Sequence, residues 1–480
     1  MPSSRWATPL DAVFLAAETD ETLMHVGILL HLTPPDGEAA AFARDLVAEL
    51  HAGPVEPPWT LHLQTRRLLR QLLHRWVEDP SFDVTHHVRL TALPHPGGER
   101  ELGVLVSRLH SERLDLRRPP WEVHVIEGLE PGRVAVYVKV HHSLVDGVSG
   151  MRLLERGLST DPDDRAHPHF LGIPPARGAD RSENTGDGLG LLRTLLGGAR
   201  AAPVAVRTAV ATQLRLGDDA GATAVPSYVA PRSVLNARTG RARRFATQRL
   251  DLTRLRAVAA VGGHTVNDVL LTVCSTALRR YLDEIDARPD EPLVALVPVD
   301  VRAPEGHGGG NYVGGTLVSL ATDVDDPVAR LEAVAASAAA AKARTADLHP
   351  DAVIAYSVLL LLPAALEATR AASRLPLPVP TTLNLTVSNI PGPREVLYWR
   401  GARLDAAFPV SIPVHSMALN ITAQSYAGSL DVGFVGDRDA LPHLQRLAVR
   451  TGEALDELET AVVRSEAAVV RPRAARRSRG

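Results

Sequence analysis

The amino-acid sequence predicts an α/β or α+β protein built in two lobes. The chain has 480 residues, which is more than a single hydrophobic core usually supports. Segments with the apolar period of a strand alternate with segments of helical period in both halves, without a regular repeat. A stretch at 173–190, rich in Pro, Gly and charge, is typical of a surface loop or linker between the halves.

The composition narrows the class of protein. Hydrophobic residues make up 45% of the chain and the net charge is −3, which is typical of a globular protein. This charge balance does not indicate nucleic-acid binding. The single cysteine, Cys274, excludes an internal disulfide or a zinc ribbon. The first twenty residues lack a signal peptide pattern, and the apolar stretch at 352–366 is shorter than a membrane span. We expect that stretch to form a buried or surface-lying helix.

The N-terminal half contains a clear helix pattern and a clear strand pattern. "AAAFARDLVAELHA" at 39–52 has helical spacing, and "VAVYVKV" at 134–140 has the period of a strand. In the C-terminal half, Asn267 or Asp268 is placed to start a helix over 265–285. The other expected elements are strands at 293–302, 381–393 and 421–437, and helices at 326–348 and 440–470.

These elements give the expected domain organisation. A small-residue helical stretch at 189–214 is expected to cross between the lobes, and the C-terminus is rich in arginine without acidic residues. The expected boundaries are 1–185 and 231–465 for the two lobes, 186–230 for the crossover and 466–480 for a basic disordered tail.

The segment "HHSLVDG" at 141–147 follows the strand pattern and ends in a turn. Neighbouring strand residues point to opposite faces, so His141 and His142 are poorly placed to bind one metal ion, and Asp146 alone leaves the ligand set short. We therefore predict no metal site. Asp146 can turn back toward an imidazole or an arginine, and Gly147 permits unusual backbone angles. The pattern predicts one histidine as a general base supported by the other residues, with two core histidines as the structural alternative.

The chemistry of that base favours direct transfer. An imidazole with a pKa of about 6.5 can take a proton from a hydroxyl as its oxygen attacks a carbonyl. The sequence has no G-x-S-x-G segment, so a serine acyl-enzyme is not indicated. A thioester suits such a site because a thiolate leaves with little acid assistance.

The motif and five further regions resemble a known family. "HHSLVDG" matches the HHxxxDG motif of CoA-dependent acyltransferases. The segments 8–30, 79–129, 266–282, 298–302 together with 310–315, and 388–393 are similar, in the same order, to bacterial wax ester synthases/acyl-CoA:diacylglycerol acyltransferases. In "RPPW" at 118–121, Pro120 stands where that family has Leu in a Pro-Leu-Trp motif.

This resemblance implies two chloramphenicol acetyltransferase-like lobes with a central substrate tunnel. It implies transfer of a fatty acyl group from acyl-CoA to diacylglycerol, to a long-chain alcohol, or to both. His142 would be the general base, with His141, Asp146 and Gly147 in supporting roles. Further residues are expected to line the tunnel or support it: Trp121, Asn267, Asp268, Arg302, Ser388, Asn389, Pro391 and Gly392.

Within that set, individual roles are expected from local patterns. Arg302 can pair with Asp146 across the lobes, whereas Asn267 and Asp268 are helix N-cap candidates. Trp121 is expected to be a core anchor, and Pro391 and Gly392 to form a rigid turn.

Acyl-CoA enters as a substrate, and no separate cofactor or nucleic-acid partner is expected. The lipid acceptors predict a cytoplasmic protein attached peripherally to a membrane or lipid-droplet surface. The alternatives are another HHxxxDG acyltransferase, of condensation type or acting on polyketide alcohols, and a non-catalytic lipid-binding protein.

Overall fold

The computed structural model describes most of both lobes. The described residues are 4–7, 9–35, 37–65, 74–145, 147–174, 225, 230–300, 313–346 and 381–477. The segments predicted at 189–214 and 352–366, together with Asp146 and Arg302, lie outside these ranges. The lobe boundaries at 185 and 231 therefore stay predictions.

The N-terminal lobe contains a six-stranded sheet, and the predicted strand at 134–140 is one of its central strands. Its strands are β2 (His25–Thr33), β5 (Val88–Ala92), β6 (Trp121–Leu129), β7 (Arg133–His141), β12 (Tyr398–Trp399) and β13 (Ala402–Val410). They lie in the order β12-β13-β2-β7-β6-β5, and only β5 and β6 run parallel. A small sheet of β1 (Ser4–Trp6), β3 (Leu61–Thr65) and β4 (His74–Glu78) lies beside it. The helices of this lobe are α1 (Pro9–Ala17), α2 (Ala39–Ala52), α3 (Glu99–Ser111) and α4 (Gly147–Arg156), of which α2 confirms the pattern at 39–52.

The C-terminal lobe contains a second six-stranded sheet. Its strands are β8 (Arg243–Asp251), β9 (Val294–Asp300), β10 (Val313–Ser319), β11 (Leu385–Ile390), β14 (Leu419–Tyr426) and β15 (Ser429–Asp437). They lie in the order β10-β9-β11-β14-β15-β8. Its helices are α5 (Leu252–Gly262), α6 (Val266–Glu284), α7 (Pro327–Ala346) and α8 (Leu444–Arg477). The helices predicted at 265–285, 326–348 and 440–470 and the strands predicted at 293–302 and 381–393 are present, with ends shifted by a few residues. The segment predicted at 421–437 forms two strands, β14 and β15. Among the described residues, only α5 and α6 taken together have the length and apolar character of a bilayer span, and they are bent by 103°.

Strands β12 and β13 connect the lobes, since they come from the C-terminal half and lie in the N-terminal sheet. β13 pairs with β2 along its length, with a bulge between Leu404 and Ala406. Asp431 of β15 accepts a hydrogen bond from the Ala407 amide at 2.8 Å, and burial raises the pKa of Asp431 to about 6. The segment 231–465 therefore contributes to both lobes, which the sequence patterns did not predict.

Helix α3 fills the space between the two sheets. Leu102, Val106 and Leu109 pack in one hydrophobic cluster with residues of both sheets, among them Tyr137 and Phe245. The Ser107 hydroxyl accepts a hydrogen bond from the Phe245 amide at 2.9 Å. The lobes are therefore joined by apolar packing and hydrogen bonds along α3 as well as by strands β12 and β13.

Two local expectations are corrected. The N-cap of α6 is Thr265, because its hydroxyl accepts from the Asp268 amide while the Asp268 carboxylate accepts from the Thr265 amide. Asp268 is thus the third helical residue of a capping box and not the N-cap itself, and Asn267 lies between the two. Helix α8 continues to Arg477, through most of the segment expected to be a disordered tail. Ala and Arg favour helix, and extending an established helix costs little compared with nucleating one.

Buried neutral histidines predict a loss of stability in mild acid. Burial lowers the pKa of His31 to about 4, below its unfolded value of about 6.5. The unfolded state therefore binds the proton first, and the contribution to stability is complete above pH 6.5 and is lost between about pH 6.5 and 4. We expect His31→Gln to reduce the fall in unfolding free energy between pH 7.5 and pH 5 by about 2 kcal/mol, measured by urea unfolding.

His86 provides the matched control because its side chain is exposed. His86→Gln should leave the difference in unfolding free energy between pH 7.5 and pH 5 unchanged. An equal reduction in both variants would contradict the assignment to His31.

Candidate active site

The histidine pair lies where β7 ends, between β2 and β6, as the sequence predicts. The His141 amide donates to the Pro120 carbonyl on one side, and the His142 amide donates to the Met24 carbonyl on the other, both at 2.9 Å. The Leu144 amide returns to the His141 carbonyl at 2.9 Å and forms the turn that leads to α4. Backbone hydrogen bonds from both neighbouring segments therefore fix the position of the pair.

The last turn of α1 lies against both histidines. Phe14 stacks on the His142 ring with a centroid distance of 4.0 Å and an interplanar angle of 22°. One helical turn later, the Glu18 Oε2 atom lies 3.6 Å from the His141 Nε2 atom. The Glu18 amide bonds to the Phe14 carbonyl at 3.1 Å, so the two side chains are neighbours on one helix face.

His141 is held in one tautomer. The Ser143 amide lies 3.2 Å from the His141 Nδ1 atom, and the Ser143 hydroxyl lies 2.6 Å from it. An amide N–H can only donate, so Nδ1 accepts and the ring proton resides on Nε2, facing Glu18. Both His141 and Ser143 are fully buried. A proton acceptor for a substrate must be reachable, and of the two histidines only His142 is partly exposed.

Glu18 is a site residue that the sequence analysis did not single out. Its side chain is 1% exposed and also lies 3.1 Å from Arg113, which is 46% exposed. Burial raises the pKa of Glu18, but the contacts with His141 and Arg113 outweigh burial and lower the pKa below its ordinary value. The carboxylate is therefore charged at neutral pH. The sequence feature that could have pointed to Glu18 is its place directly after the apolar helix, within the segment 8–30 that resembles the family.

Arg5 attaches the N-terminal segment to the turn of the motif. Its guanidinium donates to the Leu144 carbonyl at 3.2 Å and to the Ser143 carbonyl at 3.5 Å. The same group donates to Asp11 of α1 at 3.0 Å and lies over the Trp76 ring at 5.4 Å. Arg5 thus fixes α1 and the turn that follows the histidines relative to each other.

A buried polar layer supports the same strand from the side of α3. The Lys139 ammonium donates to the Leu109 carbonyl at 2.9 Å and lies 3.1 Å from the Glu122 carboxylate. Burial lowers the pKa of Lys139, whereas the pKa of Glu122, which burial would raise, is lowered to about 2 by His124 and Lys139. His25, the cross-strand neighbour of His141, bonds to the carbonyl of His110 at 2.8 Å. The backbone carbonyls at the C-terminus of α3 therefore accept hydrogen bonds from side chains of β7 and of its neighbour β2.

Trp121 is the core anchor that the sequence predicts. It is buried, and its indole N–H donates to the Trp59 carbonyl at 2.7 Å. The preceding Pro120 contacts the motif through its carbonyl, which accepts the His141 amide. This contact needs no particular side chain, which accounts for a proline at the position where the family has leucine.

The other predicted supporting residues lie in the C-terminal lobe. Ser388 and Asn389 are in β11 and pair with Thr422 and Ala423 of β14. At Gly392 a Cβ atom would lie 2.2 Å from the Ser425 carbonyl oxygen, so the chain requires glycine there. Pro391 is exposed beside it. Asn267 and Asp268 belong to the first turn of α6, and Gly147 is the first residue of α4. Asp146 and Arg302 lie outside the described residues.

Among the described residues, no group of three or more His, Cys, Asp or Glu side chains could hold a metal ion.

Two family models match the chain. The wax ester synthase/diacylglycerol acyltransferase catalytic domain matches residues 8–270, and the WS/DGAT C-terminal domain matches residues 309–459. A Mycobacterium tuberculosis protein that carries the name diacylglycerol O-acyltransferase is 47% identical, over 96% of this chain and 98% of the relative. The O-acyltransferase WSD of Acinetobacter baylyi is 37% identical, over 95% of this chain and 98% of the relative.

Solved structures show the same fold. The wax ester synthase/diacylglycerol acyltransferase from Marinobacter aquaeolei VT8 superposes with a TM-score of 0.74 at 36% identity, covering 95% of this chain and 99% of that chain. The first condensation domain of the calcium-dependent antibiotic synthetase shares the fold at a TM-score of 0.55 and 16% identity, with 96% of each chain covered. The predicted two-lobed fold class is confirmed, and the chain belongs to the wax ester synthase/diacylglycerol acyltransferase family.

Proposed function

We propose that the protein transfers a fatty acyl group from acyl-CoA to the hydroxyl of diacylglycerol or a long-chain alcohol, with His142 as the general base. The observation that carries the proposal is the division of roles within the histidine pair. His141 is fully buried, with Ser143 hydrogen-bonded to Nδ1 and the Glu18 carboxylate 3.6 Å from Nε2, whereas His142 is partly exposed beside it. The names of the relatives support diacylglycerol and wax alcohols as acceptors.

The proposed reaction is a single transfer. His142 takes the hydroxyl proton while the alcohol oxygen bonds to the thioester carbonyl carbon. The carbon–sulfur bond then breaks, and the proton passes from His142 to the CoA thiolate. Ser143 has no part as a nucleophile in this scheme because its side chain is buried and faces His141. The scheme uses acyl-CoA as substrate and calls for no resident cofactor or metal.

We further propose that the protein works at a cytoplasmic membrane or lipid-droplet surface, because both acceptor classes reside in lipid. We propose that the substrates meet in a tunnel between the lobes. The condensation-type alternative rests on a shared fold at 16% identity, whereas the lipid acyltransferase reading is supported by relatives aligned over almost the whole chain.

A competition assay tests the base and the acceptor together. Purified protein receives labelled palmitoyl-CoA with diacylglycerol and hexadecanol, and the products are identified. We expect His142→Ala to lower turnover at least about 100-fold, since general-base assistance contributes roughly that much or more. The melting temperature should stay close to that of the parent protein. The exposed His86→Ala serves as the control, and near-normal turnover in folded His142→Ala protein would remove the base assignment.

Glu18→Gln tests whether His141 is held electrostatically. The amide is isosteric but lacks the charge that Arg113 and His141 face. We expect kcat to fall roughly tenfold and the unfolding free energy to fall by about 1–3 kcal/mol, as for a buried hydrogen bond to a charged group. The KM for acyl-CoA should not change, because the buried Glu18 does not reach substrate.

Asp20→Asn is the matched control for Glu18→Gln. Asp20 also pairs with Arg113, at 3.4 Å, but its side chain is 62% exposed and an exposed pair contributes little. Equal losses of kcat in the two variants would contradict a specific role for Glu18.

A further inference from the structure

Phe14 covers one face of His142. The ring centroids are 4.0 Å apart and the planes differ by 22°, so the phenyl π-face is directed at the imidazole. Phe14 is held there by its own helix, because Arg5 ties α1 to the carbonyls of the motif turn and Glu18 ties the end of α1 to His141. The stack is therefore set by the surrounding structure and does not depend on a loose contact between two side chains.

The face of a phenyl ring is electrically negative. It attracts a cation within about 6 Å of its centroid, and the attraction is stronger where water is excluded. The His142 imidazole is neutral before transfer and becomes an imidazolium when the hydroxyl proton arrives. An interaction that is stronger with the charged ring than with the neutral ring lowers the barrier, since it grows as the reaction proceeds.

We infer that Phe14 is a positioning residue that orients His142 and stabilises the imidazolium formed during acyl transfer. The inference rests on the proposed function, in which His142 is the base. The proton moves from the acceptor hydroxyl to His142 and then to the CoA thiolate, while the oxygen–carbon bond forms and the carbon–sulfur bond breaks. Phe14 is chemically unchanged throughout.

A purely structural role predicts a different response. If Phe14 only fills space, the rate depends on the size of its side chain and not on the charge distribution of the ring. Fluorine atoms on the ring reduce the negative potential of its face and alter its size only slightly. A graded fluorine series therefore separates the two roles.

The experiment incorporates 4-fluoro-, 3,5-difluoro- and 3,4,5-trifluorophenylalanine at position 14 of the full chain. Single-turnover rates with palmitoyl-CoA and diacylglycerol are measured at the alkaline plateau of activity, together with melting temperature. We expect the rate to fall stepwise with each fluorine. The rate should fall furthest in Phe14→Leu, roughly three- to thirty-fold, whereas Phe14→Tyr should retain most of the rate.

Phe82 supplies the matched control because it is stacked on another histidine, His87, at 5.4 Å and 20°. The same fluorine series at Phe82 should leave the rate unchanged. A flat series at position 14 in stable protein would overturn the inference even if Phe14→Leu is inactive, and so would equal slopes at the two positions. Full activity of His142→Ala would instead overturn the proposed base, so the two failures are distinguishable.

Discussion

The end of α1 lies across the end of β7, and this contact determines how the histidine pair is presented. Phe14 and Glu18 are one helical turn apart, and they contact His142 and His141 respectively. A single helix face therefore gives the two adjacent histidines different surroundings. One ring has an aromatic face against it, and the other has a buried carboxylate and a serine. The proposed division between a base and its support rests on that asymmetry.

Holding this arrangement requires charges to be buried, and the structure compensates each of them. Glu18 lies beside Arg113, and Lys139 has Glu122 and a backbone carbonyl within hydrogen-bonding distance. Removing one member of such a group leaves an uncompensated buried charge, which costs far more than an exposed pair gains. These groups lie on the side of β7 that faces α3, and α3 joins the two lobes. The position of the motif is thus coupled to the packing between the lobes.

Local patterns were sufficient to predict the place of the motif at a strand end and four of the eight described helices, namely α2, α6, α7 and α8. The period of two in 134–140 and the helical spacing in 39–52 depend only on which face of each element is buried. Sequence reasoning missed contacts between residues far apart in the chain. Glu18 lies 123 positions before His141 in the chain. β13 pairs with β2 although paired residues such as Arg403 and Thr33 are 370 positions apart in the chain. Neither pairing leaves a periodic trace in the sequence. The cap of α6 was misplaced by two or three residues, because Thr265, Asn267 and Asp268 are all favourable cap residues and only the hydrogen bonds distinguish them.

The claim that one turn of α1 holds both histidines is tested most directly by a double-mutant cycle on kcat with Phe14→Leu, Glu18→Gln and the double variant. If one helix turn holds both histidines, loosening it at Glu18 removes part of what Phe14 contributes. The double variant should then lose less than the sum of the single losses in activation free energy, by at least about 0.5 kcal/mol. Losses that add within error would show that the two contacts act independently, which would contradict the account.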